Sequence, residues 1–340
     1  MFDFSEFIDL PLVWSILIGT AIFLYVLLDG FDLGIGILFP FAPSDQCRNR
    51  MMNSIAPFWD GNETWLVLGG GGLFAAFPLA YTILLPAFYI PIILMLLGLI
   101  MRGVAFEFRF KASPDSRWIW DYVFHFGSLA AAFCQGLILG GFIQGVNVSG
   151  RDFAGGPFDW ATAFSVMTGV AVTFGYALLG ATWLIMKTED FTQNWSRQVA
   201  SYVLIFIAIF MALVSITVPF VNEQIKDFWF SIPNIYYLAS IPLITAVLFI
   251  ILWWDLYKAK SEYRPFLCSI GIFAMGYLGL GLSLFPWLIP YNYTIWESAA
   301  YGPSLSLMLC GIVPLLPLIL GYTGYCYYVF RGKTSHEPMY

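Results

Sequence analysis

Two aspartates three residues apart, Asp29 and Asp32, lie in the run LLDGFDLGIGILFPF with apolar sequence on both sides. That spacing puts them on one face of a helix. A second pair, Asp60 and Glu63, repeats the spacing inside Trp59-Asp60-Gly61-Asn62-Glu63-Thr64-Trp65. A third group follows in RGVAFEFR, where Arg102 precedes Glu107. Partly buried carboxylates can exchange protons near neutral pH. Asp29, Asp32, Asp60, Glu63 and Glu107 therefore suit a proton-uptake path, with Trp65 as a wall and Arg102 as a counter-ion for one of them. The same spacing also suits a cation site or a structural polar knot.

Each group has an ordinary reading as well. Helix one could simply end near Asp29, having run about 27 Å from Pro11. Against that, the apolar stretch 33–41 would be wasted in water, and Gly30 and Gly34 form a small-xxx-small pair suited to close helix contact. Asp60 and Glu63 could be the acidic first turn of a helix, opposing its dipole. Arg102 and Glu107 could be a solvated flank where a helix leaves the membrane. Glu297, in a loop without bases, reads as solvated.

The elements that must position these groups are membrane spans. Of the 340 residues, 60% are hydrophobic and 11% charged, where soluble domains carry about 25% charged residues. A disordered chain is excluded by the same figures. Charges divide the chain into uncharged runs at 10–28, 64–101, 122–150, 160–186, 198–222, 228–254, 265–296 and 298–330. A bilayer core takes about 20 apolar residues per helix. The run 64–101 is too long for one helix and holds Pro78, Pro86 and Pro91. It predicts two helices, about 55–77 and 81–101. The expectation is an all-α polytopic membrane protein of nine transmembrane helices, with residues 1–340 as a single domain.

Charge bias supports the count. With nine spans, 13 of the 15 basic residues fall on one side, leaving Arg151 and Lys226 on the other. Merging helices two and three would spread them 11 to 4. The positive-inside rule then places the N-terminus outside and the C-terminus in the cytoplasm. The opening MFDFSEFIDL has Asp3, Glu6 and Asp9 and no base, so it does not read as a cleavable signal peptide.

Other chemistries find little support. No basic cluster suggests nucleic-acid binding. The five cysteines form no CxxC pair. The two histidines are His125, opening helix four, and His336, in the tail. A bis-histidine haem needs two at membrane depth, so His125 reads as a hydrogen-bonded interfacial residue. Gly69 to Gly72 has no flanking bases or strand and reads as helix packing or local unwinding, not as a phosphate loop.

The segments LLDGFDLGIG, NSIAPFWDGNETWL, RGVAFEFR, GATWLIMKTE, LFPWLIP and YTGYCYYVFRGK resemble subunit II of the cytochrome bd-type quinol oxidases, including their cyanide-insensitive branch. The likeness runs nearly the whole chain in the same order. It implies nine helices, N-terminus outside, in a bacterial inner membrane. It implies a heterodimer with subunit I, which carries the haems of type b and d, the quinol-oxidising loop and the site of dioxygen reduction to water. Subunit II would bind no haem. Protons for water would come from the cytoplasm, so charge crosses the bilayer at about 2.3 kcal/mol per charge per 100 mV.

In the family's terms Asp60 and Trp65 match positions proposed to line a proton inlet between the subunits, and Asp32 matches a second acidic position. Glu63 departs from members that carry an amide there. The loop 219–234 looks shorter than in longer members. The resemblance leaves room for a structural quinone and for small single-helix accessory subunits, and no residue specifies either. Two other readings stand beside it. One is a stand-alone proton-coupled transporter, suited to buried acids and broken glycine-rich helices but lacking an inverted repeat. The other is a purely structural subunit whose acids tie helices together.

Overall fold

The computed structural model describes residues 7–221 and 223–334. Asp3, Glu6 and His336 lie outside the described residues. The chain is a bundle of long helices. Helix α1, Leu10–Leu38, starts at Asp9, whose Oδ1 accepts from Leu12 N at 3.1 Å. Pro11 sits in the first turn, where its missing N–H costs nothing. A 3₁₀ turn at Phe39–Phe41 leads into α2, Asp45–Ile55, capped by Ser44. Then come α3 (Trp59–Ala76), α4 (Pro78–Ala87) and α5 (Tyr89–Lys111).

Helix α6, Arg117–Gln144, ends in a hairpin of β1 (Val148–Ser149) and β2 (Asp152–Phe153). A Thr162/Ser165 capping box opens α7, Ala163–Lys187. Helix α8 is Asp190–Val221. Two short helices, α9 (Glu223–Phe230) and α10 (Asn234–Leu238), precede α11, Ser240–Lys258. Helix α12, Arg264–Leu284, is followed by the pair β3 (Trp287–Ile289) and β4 (Tyr293–Thr294), by α13 (Ile295–Ser298) and by α14, Gly302–Val329.

Eight helical segments among the described residues are long and apolar enough to cross a membrane. The expected helix 55–77 emerges as α3, whose 18 residues include the polar start WDGNET and fall below that apolar average. The expected helix 81–101 is also redrawn. Pro78 opens the short α4, the chain breaks at Phe88, and α5 runs on to Lys111. Arg102 and Glu107 thus lie inside a helix, not beyond its end. The possibility that helix one ends near Asp29 fails in the same way: α1 continues nine residues to Leu38. Its 29 residues make about 43 Å at ~1.5 Å each.

What carries α1 so far is contact with α7. A Cβ added at Gly34 would stand 1.8 Å from the Tyr176 carbonyl oxygen, and one at Gly180 would stand 2.6 Å from the Gly34 carbonyl carbon. Only hydrogen fits at either position, so the two backbones touch. Between helices in lipid the hydrophobic effect gives no net pull, and close packing and polar bonds do the holding. Phe31 then stacks on Trp183 with ring centroids 4.1 Å apart. Helix α3 runs antiparallel to α1: Asn62 meets Leu28 and Asp32, Gly69 meets Ile22, and Gly72 meets Ile18.

Candidate functional site

The second half of α1 passes between α3, α5, α6 and α7, and so carries both of its aspartates into the bundle. Asp29 and Asp32 are each 0% exposed. A buried carboxylate needs a cation or hydrogen-bond donors. Helix α5 supplies a cation one helical repeat from Gly98, which packs on Gly127 of α6. Arg102, 2% exposed, donates from Nη1 to Asp29 Oδ1 at 2.6 Å and from Nη2 to Glu63 Oε1. Glu63 retains 28% exposure and connects the pair to the surface. One guanidinium therefore bridges α1 and α3.

Asp32 is held differently. Its Oδ2 accepts from Asn62 Nδ2 at 2.8 Å, and among the described residues no cation bonds to it. Asn62 Nδ2 also donates to Leu28 O at 3.2 Å, while Asn62 Oδ1 accepts from the Tyr327 hydroxyl of α14 at 3.0 Å. Asp32 Oδ1 and Asp29 Oδ2 are buried without a hydrogen-bond partner.

Deeper in the bundle a neutral polar line ends beside Asp29. The Tyr176 hydroxyl donates to Gln135 Oε1 at 2.6 Å, and Gln135 Nε2 donates to the Tyr25 hydroxyl at 2.8 Å. Tyr25 stands one turn before Asp29 and interacts with it electrostatically. All the donors on this line point toward the carboxylate end.

The other expected residues take separate places. Asp60 is exposed and precedes Glu63 by one turn on the same face of α3, where its charge acts on Glu63. Trp65, 2% exposed, packs against Ala21 and Tyr25 in the α1–α3 seam, its Nε1 without an acceptor. Trp59, the first residue of α3, packs against α5 with its ring 5.2 Å from that of Phe106. Glu107 is half-buried and stays outside the bonded set. His125 Nδ1 donates to Gly36 O at 3.2 Å, as an interfacial residue does. Glu297 caps α13, and its bonds from Thr294 hold its carboxyl below the usual range. Among the described residues no group of three or more His, Cys, Asp or Glu is placed to hold a metal ion.

Three features escaped sequence reasoning. Asn62 lay inside the acidic motif but was given no role. Tyr25, Gln135, Tyr176 and Tyr327 come from four helices, and nothing in their local sequence marks them as partners. A second buried knot joins Arg109 to Asp121 at 2.5 Å and to Asn49 at 2.7 Å. At the same end of the bundle Lys333 bonds Glu262 at 2.7 Å, and Gln193 bonds it at 2.9 Å. Those two bonds hold the Glu262 carboxyl below its ordinary range.

Comparison with known proteins places the chain in a family. The profile of the family described as cytochrome bd terminal oxidase subunit II matches residues 10–330. The cytochrome bd ubiquinol oxidase subunit 2 of Bacillus subtilis is 30% identical, over 96% of this chain and 98% of the relative. The cytochrome bd-I ubiquinol oxidase subunit 2 of Escherichia coli K12 is 29% identical, over 97% and 96%. A chain of the bd oxidase structure from Geobacillus thermodenitrificans superposes with a TM-score of 0.71, covering 95% of this chain and 99% of that one at 16% identity, a likeness of fold.

Proposed function

Because this chain belongs to the cytochrome bd terminal oxidase subunit II family, we propose that it is the haem-free subunit of a quinol oxidase in a bacterial inner membrane. It scaffolds a haem-bearing subunit I, where quinol is oxidised and dioxygen is reduced to water. It also supplies part of that reaction's proton uptake from the cytoplasm. The whole chain forms one transmembrane unit, in which α3 serves as the ninth crossing. Supporting this, α3 tracks α1 from Asp32 to Ile18, about 21 Å at ~1.5 Å per residue, or roughly two thirds of a ~30 Å bilayer core. The basic residues Arg109, Lys187, Lys258 and Lys333 lie at the bundle end where α5, α7, α11 and α14 finish, which is the cytoplasmic end by the positive-inside rule.

One observation carries the proton reading. Two fully buried carboxylates, Asp29 and Asp32, lie one step from the half-exposed Glu63 and then Asp60, with a single guanidinium holding Asp29 and Glu63. Ionisable groups at membrane depth are costly and mark ion or proton pathways. Asp60 is the outer acceptor, Glu63 the half-exposed step, Asp29 and Asp32 the inner pair, and Trp65 the dry wall. Glu107, on the same end of α5, collects protons from the cytoplasm.

The test uses the oxidase purified with its partner. Asp60→Asn leaves the haem absorption spectrum intact and slows oxygen consumption per assembled complex. Unchanged turnover removes Asp60 from the path. A purely structural role predicts less assembled complex at constant turnover.

A further inference from the structure

The four charges at the heart of the site do not balance. Among the described residues Arg102 is the sole cation bonded to this group, against Asp29, Asp32 and Glu63. Its two bonded nitrogens are committed, Nη1 to Asp29 and Nη2 to Glu63. Glu63 is also partly exposed. Asp32 has neither: it is 0% exposed and receives only the neutral amide of Asn62. The groups facing it are Asp29 on its own helix, Glu63 and Asn62 on α3, Arg102 on α5 and Tyr327 on α14. Helix α7 faces this stretch of α1 with the Tyr176 ring and backbone, Leu179 and Gly180, and Tyr176 interacts electrostatically with Asp29.

We propose that, within the proton-uptake reading above, Asp32 is the carboxyl group that gains and loses the proton, while Asp29 remains the fixed anion of the Arg102 pair. The hydrogen bonds assign the atom. Leu28 O can only accept, so the Asn62 atom facing it and Asp32 is the NH₂ group. The Asn62 oxygen then faces Tyr327 and accepts its hydroxyl proton. Asp32 Oδ2 is therefore an acceptor in both protonation states. Oδ1, buried and without a partner, takes the proton. Uptake converts Oδ1 to O–H and removes one negative charge from the site, and release restores it. Neither step breaks a bond to Asn62 or to Arg102. Asn62 is a positioning residue here: an amide presents its N–H to Asp32 without passing a proton on.

The experiment is infrared difference spectroscopy of the intact oxidase complex between its oxidised and reduced forms, read at the C=O stretch of a protonated carboxyl group. Deuterium exchange verifies the assignment. The expected result is that Asp32→Asn abolishes one such band and slows oxygen consumption about a hundredfold, the scale of a lost proton-transfer group. Asp29→Asn keeps the band. Asn62→Leu shifts the band without removing it, and serves as the second variant should Asp29→Asn fail to assemble. A band that survives Asp32→Asn, or one that vanishes in Asp29→Asn, overturns the assignment while leaving a proton path through the cluster in place. A band that ignores Asn62→Leu also overturns it. If no carboxyl band responds at all and both Asn variants turn over normally, the proton-uptake reading itself fails.

Discussion

Removing the guanidinium of Arg102 should unfold or disassemble this chain, and removing its carboxylate partner as well should restore most of the loss. Arg102 is buried at 2% exposure and lies 2.6 Å from the fully buried Asp29. In Arg102→Leu the Asp29 carboxylate stays in a dry site without a counter-ion. Breaking one side of a buried pair costs about 3–5 kcal/mol. At ~1.4 kcal/mol per factor of ten, that is roughly a 10²- to 10⁴-fold shift toward the unfolded or unassembled state. Glu63 adds little, because its 28% exposure lets water replace the lost bond, within about 1 kcal/mol. The double variant Arg102→Leu with Asp29→Leu removes both charges and leaves no unpaired ion from this pair. It should fall within about 1–2 kcal/mol of the parent, since apolar replacement of a buried pair is often neutral. Arg102→Lys should lie between them, a point charge being unable to span two acids as a planar fork does. The assay is the fraction of complex surviving graded heating, read by size-exclusion chromatography in detergent. The reasoning is refuted if the single variant is as stable as the parent, or if the double variant is no better than the single.

Two further outcomes test the scaffold around the site, beside those for Asp60 and Asp32. Gly34→Val should prevent assembly outright, because even a Cβ there would meet the Tyr176 carbonyl at 1.8 Å, backbone against backbone. Recovery of well-assembled complex from that variant would show that α1 and α7 can part without loss. Glu262→Gln should lower the thermal midpoint modestly at pH ~7, by under about 1 kcal/mol for a partly exposed ion pair. Its bonds to Lys333 and Gln193 depress the folded-state value below the unfolded one. The stabilisation is therefore full above the unfolded carboxyl's pH of about 4.3 and fades as pH falls below it. A difference between parent and variant that persists undiminished at pH ~3 would contradict that account.

Much of the fold was legible because a bilayer constrains a chain severely. A run of about 20 uncharged residues has few alternatives to a spanning helix, and the basic residues collected at one end of it. The weak point was α3. Its WDGNET start carries charges that lower the apolar average, yet the same residues are the ones the site uses. Helix ends were the other weak point. Asp29, Arg102 and Glu107 looked terminal because charges usually end a span, and here α1 and α5 continue past them.

The residue types of the site were readable from local spacing alone. Asp29 with Asp32, and Asp60 with Glu63, share faces because three residues make nearly a full helical turn, and a lone arginine nearby invited a pair. Which acid receives that arginine, which receives only an amide, and which stays at the surface were decided by the packing of separate helices. Asn62 and Tyr327 are 265 positions apart and meet at 3.0 Å. Gly34 and Gly180 must touch before Asp32 can reach its depth. Spacing along one helix is fixed by the chain's own geometry, whereas a charge's partner depends on how distant segments dock, and no local pattern encodes that.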